Sequence, residues 1–135
     1  MSSIKFPFDE KESSIFGKIR IPIAKVQFLT KKSKKEKMIT MIIDSGADYT
    51  LLPKFLSEIL EINLKKDSYP MITQGVGGKA TVFIVKKPIK VKIGDNERSI
   101  ILGFANNDFI PPLLGRYTFL ETFKVTFENF TTTFS

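Results

Sequence analysis

The chain has neither cysteine nor histidine. Without cysteine there are no thiol nucleophiles and no disulfides, and without either residue there is no structural zinc finger. Every triad that depends on an imidazole base is excluded as well. Catalysis, if the chain performs any, must rest on carboxylates, lysines, hydroxyls or the backbone. A long apolar run is also missing: the opening "MSSIKFPFDEKESS" is polar and interrupted by Pro7, and nothing in it has the length of a signal peptide or a membrane span. The expectation is a cytoplasmic protein with no membrane partner. Short-period repeats and low-complexity linkers are absent too, so the 135 residues read as one domain, long enough to bury a core without covalent or metal staples.

What is present is ordinary in bulk and uneven in detail. At 42% hydrophobic and 26% charged residues the composition is globular. The net charge is +7, and "KKSKKEK" (residues 31–37) supplies +4 of it through five lysines and one glutamate. Such a cluster can gain affinity for phosphates by displacing counterions. It lacks the interleaved aromatics of a stacking platform and the arginines of base readout, so nucleic acid is not expected as a partner. The cluster sits between two strand-like runs and reads as a solvated hairpin tip.

Alternation across residues 15–29, with Ile15, Ile19, Ile21 and Ile23 on one face and Arg20 and Pro22 opposite, has the period of a half-buried strand, and Pro22 marks an edge or a bend. Residues 38–43 form a near-continuous apolar run, the pattern of a fully buried strand, ended by Asp44. Phe55, Leu56, Ile59 and Leu60 fall at helical spacing after Pro53, which predicts a short helix over about 53–61. Two apolar arms around Gly75-Val76-Gly77-Gly78 predict a hairpin, and Gly94-Asp95-Asn96 predicts another. "RYTFLETF" suits one or two helical turns, and "KVTFENFTTTF" alternates as a strand. About seven strands and two short helices predict an all-β domain, closed or sandwich-like.

The segment "MIIDSGADYTLLP" sets a carboxylate at the end of an apolar strand, followed by a hydroxyl residue and a glycine. A carboxylate there is costly unless it is hydrogen-bonded or functional. By itself the pattern also suits a helix N-cap or an Asx turn, with Asp44 or Asp48 capping the turn before "LLPKFL".

Three elements in order resemble the retropepsin-like aspartic proteases: "IIDSGADYTLLP", then "GVGG" where a flap tip belongs, then "PPLLGRYTFLETFKVTFE". The resemblance spans roughly residues 15–127, so residues 1–14 are set apart as an N-terminal extension and 15–135 as the protease domain. It implies a closed β-barrel with one or two short helices and a flap hairpin. It implies that Asp44 is the catalytic aspartate, that Ser45 locks its loop across the active site, that Gly46 admits the substrate backbone and that Ala47 lines the site. Asp48 would pair with Arg116, with Leu113, Leu114 and Gly115 as structural support and Gly75, Val76, Gly77 and Gly78 as the flap. The departures from the family pattern are Ser45 in place of the commoner threonine, a flap tip without an aromatic residue, and Tyr117 after "LLGR".

Only one such motif occurs, because Asp9, Asp67, Asp95 and Asp108 lack a following Ser/Thr-Gly. Amide hydrolysis by this chemistry needs two carboxylates, so the resemblance implies a homodimer acting on a polypeptide in extended conformation, with no metal and no cofactor. The alternating, Thr-rich segment "VTFENFTTTFS" is expected either to be an unpaired edge whose residues 129–135 join the dimer interface or to be a last strand within the monomer. The alternative is an inactive dimeric peptide-binding or scaffolding module of the same fold. A basic nucleic-acid-binding barrel is a third reading and leaves Asp44 unexplained.

Overall fold

A computed structural model describes residues 3–75 and 77–135. Fourteen strands and two short helices follow in chain order: β1 (Ile4–Pro7), β2 (Asp9–Ser13), β3 (Gly17–Ile21), β4 (Ile23–Leu29), β5 (Glu36–Ile43), β6 (Thr50–Leu52), α1 (Leu56–Ile59), α2 (Leu64–Asp67), β7 (Ser68–Gly75), β8 (Gly78–Val85), β9 (Ile89–Ile93), β10 (Asn96–Ile100), β11 (Leu102–Ala105), β12 (Leu113–Leu114), β13 (Val125–Glu128) and β14 (Thr131–Phe134). A 3-10 turn covers Leu120–Thr122. The fold is mostly β, as expected. Among the described residues, no helix is long and apolar enough to cross a membrane.

Nine strands join in the order β10-β9-β4-β5-β12-β6-β11-β8-β7, and smaller sheets form from β1-β14-β13 and β2-β3. Pro22 falls between β3 and β4, where the missing N–H ends one ladder and the chain moves to another. The alternation is split between two strands: Ile19, Ile21 and Ile23 are half-buried, Ile15 is exposed, and beyond the bend at Pro22 the fully buried residues of β4 are Ala24, Val26 and Phe28. They pack with Met41, Phe104, Phe119 and Phe134 in one core. The first fourteen residues carry β1 and β2. β1 pairs with the C-terminal strand β14, and β2 pairs with β3.

Three local expectations are corrected. The run at 38–43 is half-buried rather than fully buried, with Ile39, Met41 and Ile43 inward but Met38 and Thr40 exposed, because β5 has only one face on the core. The helix at 53–61 contracts to α1, with Leu56 and Leu60 buried and Phe55 and Ile59 left outside. The C-terminal segment is a hairpin, β13 and β14, turning at Asn129 (φ 51°) and Phe130 (φ 57°), the left-handed pair of a two-residue turn. β14 therefore has β1 on one side and β13 on the other, so residues 129–135 are not an unpaired edge. In the single chain the outer strands of that sheet are β1 and β13.

Candidate active site

The site is assembled where β12 threads between two strands. Leu113 and Leu114 run parallel to Ile42 and Ile43 of β5, and Leu113 also faces Leu51 of β6 in antiparallel register. The Ile42 N–H donates to the Pro112 carbonyl (2.9 Å), and the Asp44 N–H donates to the Leu114 carbonyl (3.0 Å). Asp44 is thus held at the strand end by the ladder and is half-buried. Its Oδ1 accepts from the Gly46 N–H at 2.9 Å and its carbonyl from the Ala47 N–H at 3.1 Å, which closes a tight Asx-type turn over Ser45 and Gly46. The sequence left a cap or Asx turn open as an alternative to a functional carboxylate, and the Asx turn is present at Asp44.

Arg116 ties this turn to the segment after β12. Its Nη1 donates to the Ser45 carbonyl at 2.6 Å, its Nη2 to Asp48 Oδ1 at 2.7 Å, and its Nε lies 3.9 Å from Glu121 Oε1. The backbone repeats the connection, with Arg116 N–H to the Ala47 carbonyl (3.0 Å) and Tyr117 N–H to the Asp48 carbonyl (2.7 Å). Asp48 and Arg116 are substantially exposed, so the ion pair positions the loop more than it stabilises the fold. Ser45 and Gly46 face solvent in the single chain, and Ala47 is half-buried.

Gly115 is required on steric grounds. A Cβ there would lie 2.2 Å from the Tyr49 carbonyl oxygen and 2.3 Å from its carbon, so no side chain fits while β12 stays between β5 and β6. Its N–H donates to the buried Thr50 Oγ1 at 3.2 Å. On the other side of Tyr49 the ring packs over Gly103, where a Cβ would meet Tyr49 Cε2 at 2.8 Å. The Tyr49 phenol is pushed above its ordinary pKa, first by burial and then by the Asp48 charge, so it stays protonated near neutrality. Tyr49, Thr50, Gly103 and Glu121 were not singled out from the sequence. A Thr at a buried strand position is a weak signal for Thr50, and contacts across more than fifty residues leave none for Gly103.

The expected flap is the β7–β8 hairpin, paired from Ser68↔Val85 to Gly75↔Gly78. β7 ends the large sheet, with β8 on its inner side. Met71 and Ile72 are exposed on this arm. Gly75, Gly77 and Gly78 sit at or beside the hairpin's end, and Val76 lies outside the described residues. Leu114 is fully buried and Leu113 half-buried. No group of three or more acidic side chains that could hold a metal occurs among the described residues.

Comparison with known proteins agrees with this geometry. Residues 32–118 match the model of the Aspartyl protease family. A crystal structure of a retropepsin-like aspartic protease from Rickettsia conorii superposes with a TM-score of 0.69 at 19% identity, over 98% of each chain. EIAV protease complexed with the inhibitor HBY-793 superposes with a TM-score of 0.55 at 22% identity, over 71% of this chain and 82% of that one. No curated protein matches the sequence. The family match covers well over half the chain, and the solved structures share its retropepsin-like fold: this protein belongs to the Aspartyl protease family.

Proposed function

We propose that the protein is an aspartic endopeptidase whose active site is completed by a second copy of the chain. The observation that carries this reading is Asp44 itself, presented at the end of β5 by the β12 ladder and the Arg116 clamp. The other carboxylate of the loop, Asp48, is committed to Arg116. A two-fold axis beside Ser45 and Gly46 would bring Asp44 next to its symmetry mate, and in that dimer Ser45 would bond across the axis. Like charges side by side cannot both ionise, so the pair shares one proton. The ionised Asp44 takes a proton from water as the water oxygen bonds to the scissile carbonyl carbon. The protonated Asp44 gives its proton to the carbonyl oxygen. Collapse of the tetrahedral adduct breaks the C–N bond, with a proton passing to the leaving amine.

The substrate is an extended polypeptide lying between the β7–β8 hairpin and the Asp44 pair. Exposed Met71 and Ile72 on that hairpin favour apolar side chains beside the cut. Flap closure would exclude water from the reacting amide. The chemistry uses no metal and no cofactor, and the cytoplasm is the proposed compartment.

Asp44→Asn tests the reading. Cleavage of a peptide library by the unaltered protein is expected to be faster at mildly acid than at alkaline pH and sensitive to pepstatin. In the variant it should fall by a factor on the order of 10⁴ or more while the dimer persists by light scattering. Cleavage that persists in the variant overturns the proposal, and saturable peptide binding without cleavage by the unaltered chain would favour the scaffolding module.

A further inference from the structure

The charge cluster that the sequence placed at a solvated hairpin tip is not isolated in space. Lys31 and Lys34 of the β4–β5 loop, Lys66 of α2, Lys86 and Lys87 after β8, and Lys90 of β9 line one cavity of about 700 Å³. Asp67 is the one carboxylate in its wall. The cavity therefore carries +5 of a chain total of +7, drawn from three separate stretches of sequence. β5 runs from this loop to Asp44, and its eight residues span about 23 Å, so the cavity stands well away from the candidate active site.

Two acidic groups beside this loop, Asp67 and Glu61, are already used to shape the backbone. Asp67 pairs with Lys31 and also accepts the Asn63 N–H at 2.9 Å. Glu61 accepts the Lys32 and Ser33 N–H groups at 3.0 and 2.7 Å and the Ser33 hydroxyl at 2.8 Å. The Lys31 N–H is held by the Leu60 carbonyl, and the Lys86 N–H by the Asp67 carbonyl. The Lys31 ammonium is thus turned to Asp67, and the Lys86 Nζ donates to the Lys66 carbonyl at 3.2 Å. Among the described residues, Lys34, Lys66, Lys87 and Lys90 have no carboxylate within ion-pair distance. Like charges gathered around one concavity repel unless an anion joins them.

We infer that this cavity is a binding site for a compact, multiply charged oligophosphate, a ligand beyond the peptidase reading. Its volume is that of a small-molecule site rather than of an extended polymer groove. Lysine ammonium groups are point charges suited to phosphate oxygens that approach from several directions. The apolar floor of Leu29, Val85 and Ile89 carries no aromatic ring on which a base could stack. The phosphates themselves are therefore the recognised chemistry, whether inorganic or carried by a nucleotide.

Isothermal titration of the full chain with inorganic tripolyphosphate, at a salt concentration near 0.15 M, tests the site. One saturable site is expected, roughly tenfold or more weaker in a Lys34→Gln/Lys87→Gln/Lys90→Gln variant and retained when the same lysines become arginine. Asp44→Asn should leave it unchanged. ATP should bind no more tightly than tripolyphosphate, since nothing in the lining receives the base. In the unaltered chain, tripolyphosphate should protect Lys34, Lys87 and Lys90 from an amine-reactive label, a readout independent of how the variants fold. Absence of saturable binding, binding that ignores the glutamine substitutions, or a single-stranded oligonucleotide that binds where tripolyphosphate does not would each overturn the inference.

Discussion

The two ends of β5 hold charged loops by opposite means. At its C-terminal end one cation, Arg116, gathers an acidic turn and leaves Asp44 without an ion-pair partner among the described residues. At its N-terminal end two anions, Glu61 and Asp67, gather a basic loop beside the lysine-lined cavity. In both cases the clamping charge is spent on backbone groups or a single partner, and the charges left over are the ones available for a ligand. The difference lies in how the clamp is backed. The acidic end is locked by interleaved strands and a glycine with no free space, whereas the basic end depends on hydrogen bonds accepted by the half-buried Glu61 and the buried Asp67.

That contrast predicts a ranking of effects. Gly115→Ala should be the most damaging, because the new methyl group meets the Tyr49 backbone rather than a movable side chain. Overpacking of this kind typically costs about 1–3 kcal/mol, and a loss at or above the top of that range is expected in denaturant unfolding. A stability unchanged by this substitution would mean that β12 does not sit between β5 and β6 as described.

Arg116→Gln should cost less than about 1 kcal/mol of stability, since the pair with Asp48 is exposed. Its effect on peptide cleavage should be much larger than that, because the Ser45 carbonyl and Asp48 lose their common anchor. Equal, small effects on folding and cleavage would reduce the clamp to an ordinary surface ion pair.

At the basic end the test is acid. Bonds from the Ser33 backbone and hydroxyl, with a further one from the Lys32 backbone, hold the Glu61 carboxyl down at about 2, from an ordinary 4.5. Asp67 is lowered as well, chiefly by Lys31. A carboxylate lowered by folding stabilises the native state fully above its unfolded pKa, and that stabilisation is lost as pH falls through the folded value. The stability difference between the unaltered protein and Glu61→Gln should therefore be flat above about pH 5 and shrink between there and pH 2. A difference that does not change over that window would show that Glu61 does not clamp the lysine loop.

The acidic end was legible in the sequence because its chemistry is contiguous. "IIDSGAD" reads in one pass, and "LLGR" announces its partner by composition. The hairpins at 75–78 and 94–96 were legible for a similar reason, since their glycines mark turns at short range. What escaped is long-range or disguised. The β13–β14 turn was hidden because Phe130 occupies a left-handed position that glycine usually fills, so its ring read as one more alternating strand residue. α2 has only four residues and rests on the Asn63 cap and the Asp67 bond to the Asn63 N–H, too short for periodicity to register. The convergence of Lys66, Lys86, Lys87 and Lys90 on the "KKSKKEK" loop is set by sheet order and could not be read from any one segment.

The claim at the centre is that one chain supplies half of an active site. Co-refolding the unaltered protein with an excess of Asp44→Asn chains, then measuring peptide cleavage per unaltered chain, tests it most directly. Random pairing should cut that activity to about half at equal proportions and to about a tenth at a tenfold excess, because mixed dimers carry only one ionisable member of the pair. Activity per unaltered chain that stays constant as the variant is added would contradict the account.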